Sequence, residues 1–205
     1  MAGRRTRLVL PRAAAALGAT ALALFLPGGA PGVVLPPADF PQLVRGAESI
    51  VIGRVTGVTS RLEEDQRLIF TYVDIDIGET LKGGSRKTVT LKLGGGRDPS
   101  SGKSMVVFGV PPFRKGEKTC VFISPDRNIM CPIMGWENGK FGITLDAETG
   151  QETVTDAWGN PLDAIMDGKV IRAHIARGRR GEILPGKGRR LTLQTFKEEV
   201  RRHLK

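Results

Sequence analysis

Gly96-Arg97-Asp98-Pro99-Ser100-Ser101-Gly102-Lys103-Ser104 has the residue types of a phosphate-binding loop. That chemistry needs four residues between the first Gly and Gly-Lys-Ser, and a helix next, so that backbone N–H groups and the helix dipole meet the phosphate. Here five residues intervene, and Met105-Val106-Val107-Phe108 reads as a strand. Nucleotide is therefore not an expected partner.

The other reactive residues are sparse. Histidine occurs only as His174 and His203, both in a basic tail, which is a poor scaffold for activating a Ser or Cys nucleophile. Asp74 and Asp76 share one strand face, where solvated carboxylates are expected rather than an acid–base pair. No His, Cys and Asp cluster has metal-site spacing, so no metal and no cofactor is expected. A non-catalytic protein is the leading reading, with a weak hydrolase as the minor alternative.

Cys120 and Cys131 flank Pro125-Asp126 symmetrically. A tight two-residue turn there would set them opposite each other across a hairpin, and in an exported protein such a pair suggests a disulfide. The competing reading is a pair of buried thiols.

Charge is divided along the chain. The formal net charge is +10. Residues 31–168 hold 15 basic and 18 acidic residues, whereas residues 169–205 hold 12 basic and 3 acidic ones. Arg177, Arg179, Arg180, Lys187, Arg189, Arg190, Arg201 and Arg202 are the candidate contacts for a polyanion or anionic membrane surface. The alternative is a solvated tail that maintains solubility. An acidic body with one Tyr and two Trp argues against nucleic acid, whose single strands need stacking aromatics in a basic groove.

Residues 1–30 have the layout of a signal peptide. Arg4, Arg5 and Arg7 precede an apolar run, Ala13–Leu26, which is broken by Pro27-Gly28-Gly29. The run is shorter than the ~20 apolar residues of a spanning helix. A periplasmic or secreted location is expected, with an uncleaved anchor as the alternative.

The elements that would position any site are strands. Ile50–Val58 and Leu68–Leu81 form a long hairpin, in which Val73, Ile75 and Ile77 alternate with Asp74 and Asp76. Gly53, Gly57 and Gly78 offer places to bend or bulge. Further strands are predicted at Thr88–Leu93, Met105–Val110, Thr119–Ser124, Ile129–Met134, Lys140–Leu145 and Gln151–Thr155, with a turn at Trp158-Gly159-Asn160-Pro161. Asp39 is placed as the cap of a short helical turn. Thr192 is placed as the cap of a closing helix, with Leu191 and Phe196 at its hydrophobic-staple positions. Phe196, Val200 and Leu204 form a narrow apolar stripe, expected to dock on the body in preference to a membrane.

The fold class is therefore all-β: a small closed or partly open barrel of the oligonucleotide/oligosaccharide-binding type, with a short N-terminal helical turn and a C-terminal amphipathic helix. The expected divisions are a signal peptide at 1–30, the barrel at 39–168, a Gly/Arg-rich linker at 169–190 and the helix at 191–205.

The blocks Ala47–Val55, Thr71-Tyr72-Val73, Thr80–Gly84, Gly109–Glu117 and Asn138–Gly142, in this order, resemble a family of uncharacterised exported bacterial proteins. The resemblance covers about residues 39–205 and carries no catalytic residues. The first blocks also remotely resemble netrin-like domains, including the tissue inhibitors of metalloproteinases. That resemblance implies a five-stranded barrel and a regulator of secreted proteases. The inhibitors bind the protease zinc through an N-terminal cysteine, and no cysteine precedes Cys120 here. The leading expectation is an exported module that binds a protein or envelope component.

Overall fold

The long strands pair into a continuous ladder, and β1 (Ser49–Glu63) buries apolar residues on both of its faces, Ile50 and Ile52 on one and Val51 and Val55 on the other. The computed structural model describes residues 39–204 except 64, 66, 127, 173–175, 178–182 and 185–189, and for 176–177 and 183–184 the backbone alone. The proposed signal segment lies outside the described residues.

The fold is mostly β. The central hairpin is longer than its sequence pattern suggested: β1 spans Ser49–Glu63 and β2 Leu68–Lys82. With β3 (Thr88–Gly94), β6 (Lys118–Ile123), β7 (Lys140–Leu145) and β8 (Glu152–Thr155), they form an antiparallel sheet in the order β3-β2-β1-β6-β7-β8. Register shifts fall at Ile50/Val51, Ile52/Gly53 and Val55/Gly57, so β1 bulges at two of the glycines expected to allow it. Gly53 is required there, because a Cβ would lie 2.4 Å from the Asp76 carbonyl oxygen.

The sheet carries an apolar layer on each face. One layer holds Ile50, Ile52, Cys120, Phe122, Phe141 and Ile143, and is covered by α1 (Phe40–Gly46) and α2 (Leu193–His203). The other holds Val51, Val55, Val73, Ile75, Leu91, Leu93 and Val121, with Cys131 and Ile133 packed in. Four phenylalanines centre the first layer: Phe40, Phe122, Phe141 and Phe196, with ring centroids 4.9–6.4 Å apart.

The closing helix docks through Phe196 and Val200 of the expected stripe, whereas Leu204 is exposed. Leu193, Phe196 and Val200 are buried in the phenylalanine layer, and Thr192 Oγ1 accepts the Thr195 N–H at 3.2 Å. Glu79 on β2 receives Lys197 at 2.8 Å and Arg201 at 3.4 Å, which clamps the helix flank to the sheet. Asp39 does sit at the N-cap of α1, but its side chain makes no capping hydrogen bond.

Two expected strands do not form. The run read as Met105–Val110 pairs only through Ser104–Met105 (β5), opposite Gly96–Arg97 (β4). Beyond Met105 the chain leaves the ladder and turns at Phe108-Gly109, with Gly109 at φ +81°. Ile129–Met134 contributes a single bridge, Ile123 to Ile133.

That bridge overturns the expected disulfide. Ser124 N–H donates to the Pro132 carbonyl at 2.9 Å and Met134 N–H to that of Phe122 at 2.8 Å. The connection is thus a long loop, not a two-residue turn, and its register moves Cys131 away from Cys120. Cys120 packs in one apolar layer and Cys131 in the other, so both are free thiols that are not near each other. Burial pushes both thiols up, Cys131 to about 11. Native protein should therefore react slowly with a neutral-pH thiol reagent, and denatured, unreduced protein should titrate two thiols. One intramolecular disulfide recovered from oxidatively prepared protein would contradict this arrangement.

Candidate functional site

The phosphate-loop mimic folds as the β4–β5 hairpin, with no helix after it. Its Asp98 is buried at the tip and accepts from Ser101 Oγ, Ser100 Oγ and the Ser101 N–H at 2.5, 2.7 and 2.9 Å. The two serine hydroxyls, Ser101 first, hold the Asp98 carboxyl down at about 2. Its Oδ2 takes all three bonds and closes the turn.

A cavity lies elsewhere, at the end of the sheet where β7 begins and β8 ends. It has a volume of about 520 Å³, within the ~300–1,000 Å³ of small-molecule sites. Four local structures build it: the N-terminus of α1, the 3-10 helix Trp136–Gly139, the Trp158-Gly159-Asn160-Pro161 turn, and a hairpin of β9 (Leu162–Met166) with β10 (Lys169–Arg172). The hairpin turn is Asp167-Gly168, with φ +50° and +75°, the left-handed pair that favours Asp-Gly between two strands.

Asp156 organises the tryptophan turn. Its Oδ1 accepts from the Trp158 and Asn160 backbone N–H groups, each at 2.9 Å. Its Oδ2 accepts from Asn160 Nδ2 at 3.0 Å and from Arg172 Nε at 2.9 Å. Burial alone would raise the Asp156 carboxyl, but donors from Asn160, Arg172 and Trp158 more than offset it and hold it below its ordinary value. The result is a braced turn that holds Trp158 56% exposed. Its Nε1–H donates to Glu137 Oε2 at 3.2 Å, which fixes the ring plane.

The floor is Lys140, only 3% exposed. Its Nζ lies 3.0 Å from Glu117 Oε1, donates to the Pro112 carbonyl at 2.6 Å and sits 4.6 Å above the Phe113 ring. Burial pushes the ammonium below its ordinary value, against the opposing pull of Glu117. These contacts fasten the Val110-Pro111-Pro112-Phe113 segment to β7, so Lys140 is fully engaged in structure.

Trp158 stands between this cavity and a second, apolar groove lined by Val58, Leu93, Val106, Val110 and Phe113. Val106 and Phe108, in the segment beyond β5, are 80% and 92% exposed.

Of the eight basic candidate contacts, three have described side chains. Arg201 pairs with Glu79, and Arg202 with Glu199 at 2.8 Å. Arg190 is half-buried. Arg177 lies on a short strand of which only the backbone is described, and Arg179, Arg180, Lys187 and Arg189 lie outside the described residues. His203 packs against Phe40 and lies 4.0 Å from Glu199, and His174 lies outside the described residues. Asp74 is exposed and accepts from Thr90 Oγ1 at 2.6 Å. Among the described residues, no group of His, Cys, Asp and Glu could hold a metal ion.

Sequence reasoning missed Trp158, Asp156, Glu137 and Arg172 as a unit. The available signal was an aromatic residue inside a polar turn, followed by an Asp-Gly hairpin. No protein-family model, curated protein or solved structure matches the chain.

Proposed function

We propose that this protein is an exported, non-catalytic binding module whose curled sheet forms a small, partly open barrel of the oligonucleotide/oligosaccharide-binding type. The observation that carries the reading is Trp158, an exposed indole locked by Asp156 and Glu137 between a polar cavity and an apolar groove. A rigid, half-exposed aromatic is a poor surface residue and a good anchor for a partner. The exposed Val106 and Phe108 extend the apolar surface beside it.

The barrel reading draws support from the sheet's second apolar layer, and from how its edge strand β3 is met. Gly94 N–H donates to the Met130 carbonyl at 2.6 Å, and the same segment bridges to β6 through Ile133. The segment therefore links the β3 edge to β6, as a closing element would. Export rests on the basic and apolar signal-like segment at 1–30. The partner class is a protein or envelope component.

Pull-down with tagged full-length protein from a periplasmic or secreted fraction tests this reading. A partner recovered by the native protein and lost with Trp158→Ala is the expected result. Repeated failure to recover any partner, or recovery indifferent to Trp158→Ala, would count against it.

A further inference from the structure

The cavity beside Trp158 has an unbalanced charge once its internal pairs are set aside. Asp156 is taken by Arg172, and Lys140 by Glu117. Among the described residues, that leaves Asp39, Glu137 and Asp167 facing Lys169 alone. Asp39 and Glu137 differ in what they offer a ligand. Asp39 Oδ1 is buried and receives no hydrogen bond. That oxygen is closed off against Gly168, where a Cβ would come within 2.2 Å of it, so Asp39 adds charge to the cavity rather than an open acceptor. Glu137 receives one hydrogen bond, from the Trp158 indole, which places the carboxylate at the ring's edge.

Excess carboxylate charge lining a cavity favours a cationic occupant. A carboxylate beside an exposed indole adds a second preference. The face of a Trp ring attracts cations, and the neighbouring carboxylate attracts the same charge. A neutral hydroxyl ligand could supply a donor but would leave the excess negative charge unmatched. An anionic ligand would meet three carboxylates.

Building on the binding-module reading above, we propose that this cavity binds an organic ammonium group, placed between the Trp158 indole, Glu137 and Asp39. The ammonium could belong to an amino sugar, a diamine or a lysine side chain of a peptide, which share the recognised chemistry.

Isothermal titration of the full-length protein with 1,5-diaminopentane, glucosamine and a short lysine peptide tests the proposal. 1,5-Pentanediol, N-acetylglucosamine and a norleucine peptide serve as neutral counterparts. At least one ammonium probe should bind about tenfold more tightly than its neutral counterpart, and the affinity should fall between about 0.01 M and about 0.15 M salt. The probe that binds best identifies the source of the ammonium. Glu137→Gln and Asp39→Asn should each weaken binding about tenfold, with Trp158 fluorescence responding in the native protein. Two exchanged positions guard against a folding defect at either one, which thermal melts would reveal.

Equal binding of neutral and ammonium partners, no binding of any ammonium probe, or undiminished binding by the Asp39→Asn/Glu137→Gln double variant would overturn the proposal. A Trp158-dependent partner recovered without ammonium binding would defeat this inference and leave the module reading standing. Ammonium binding with no recovered partner would do the reverse.

Discussion

Replacing Phe196 by Ala should destabilise the protein by about 3–5 kcal/mol, the usual cost of emptying a phenylalanine site in a packed core. Phe196 is fully buried, and its ring lies 4.9 Å from that of Phe141 and 5.5 Å from that of Phe40. It joins the closing helix to the sheet and to α1 at once. Little can collapse into the space, because all three neighbouring rings belong to different elements. A loss of that size is a large share of the ~5–15 kcal/mol that holds a typical domain folded. Urea unfolding checks it: the midpoint should fall with the slope unchanged. A loss below about 1 kcal/mol would mean that α2 is peripheral, since surface substitutions rarely exceed ~0.5 kcal/mol. A helix that served a membrane rather than the core would give that smaller result.

Asp156→Ala should be the most damaging change at the cavity, at about 3 kcal/mol, and it should abolish whatever Trp158 binds. Hydrogen bonds to a charged group contribute about 1.5–3 kcal/mol, and donors left unsatisfied add a desolvation cost. Here two backbone N–H groups, the Asn160 amide and the Arg172 guanidinium all lose their acceptor together. Trp158 would keep its chemistry but lose its position. The stability effect also has a definite pH dependence. The folded-state pKa of Asp156 lies below its ordinary value of 3.8, so its contribution is fully present above that value. It is lost as pH falls below 3.8 towards the folded-state value. The stability gap between the native protein and Asp156→Ala, measured by urea unfolding, should therefore be widest near neutrality and narrow in acid. A constant gap would show that the carboxylate charge is not what holds the turn.

The two expectations rest on different kinds of legibility. Phe196 was readable as a core residue, because Thr192, Leu191 and Phe196 stand at fixed offsets around a helix start. Asp156 was not, because its five hydrogen bonds come from Trp158, Asn160 and the distant Arg172. The hairpin that supplies Arg172 carried a local sign in Asp167-Gly168. The Gly- and Arg-rich composition that follows masked it, so 169–190 read as linker although β10 occupies Lys169–Arg172.

By itself, the sequence determined the mostly-β class, the long central hairpin with its bulging glycines, the closing helix and its docking stripe. Each follows from a period or an offset within one segment, where neighbouring residues impose the geometry. Only the tertiary structure decided the register after Ile123, which separates Cys120 from Cys131 by a sheet. It also denied Val106–Val110 a strand partner and gathered Asp39, Glu137 and Trp158 around one cavity. Those outcomes depend on which distant edge is free to pair and which distant donor is within reach, and no local pattern encodes either.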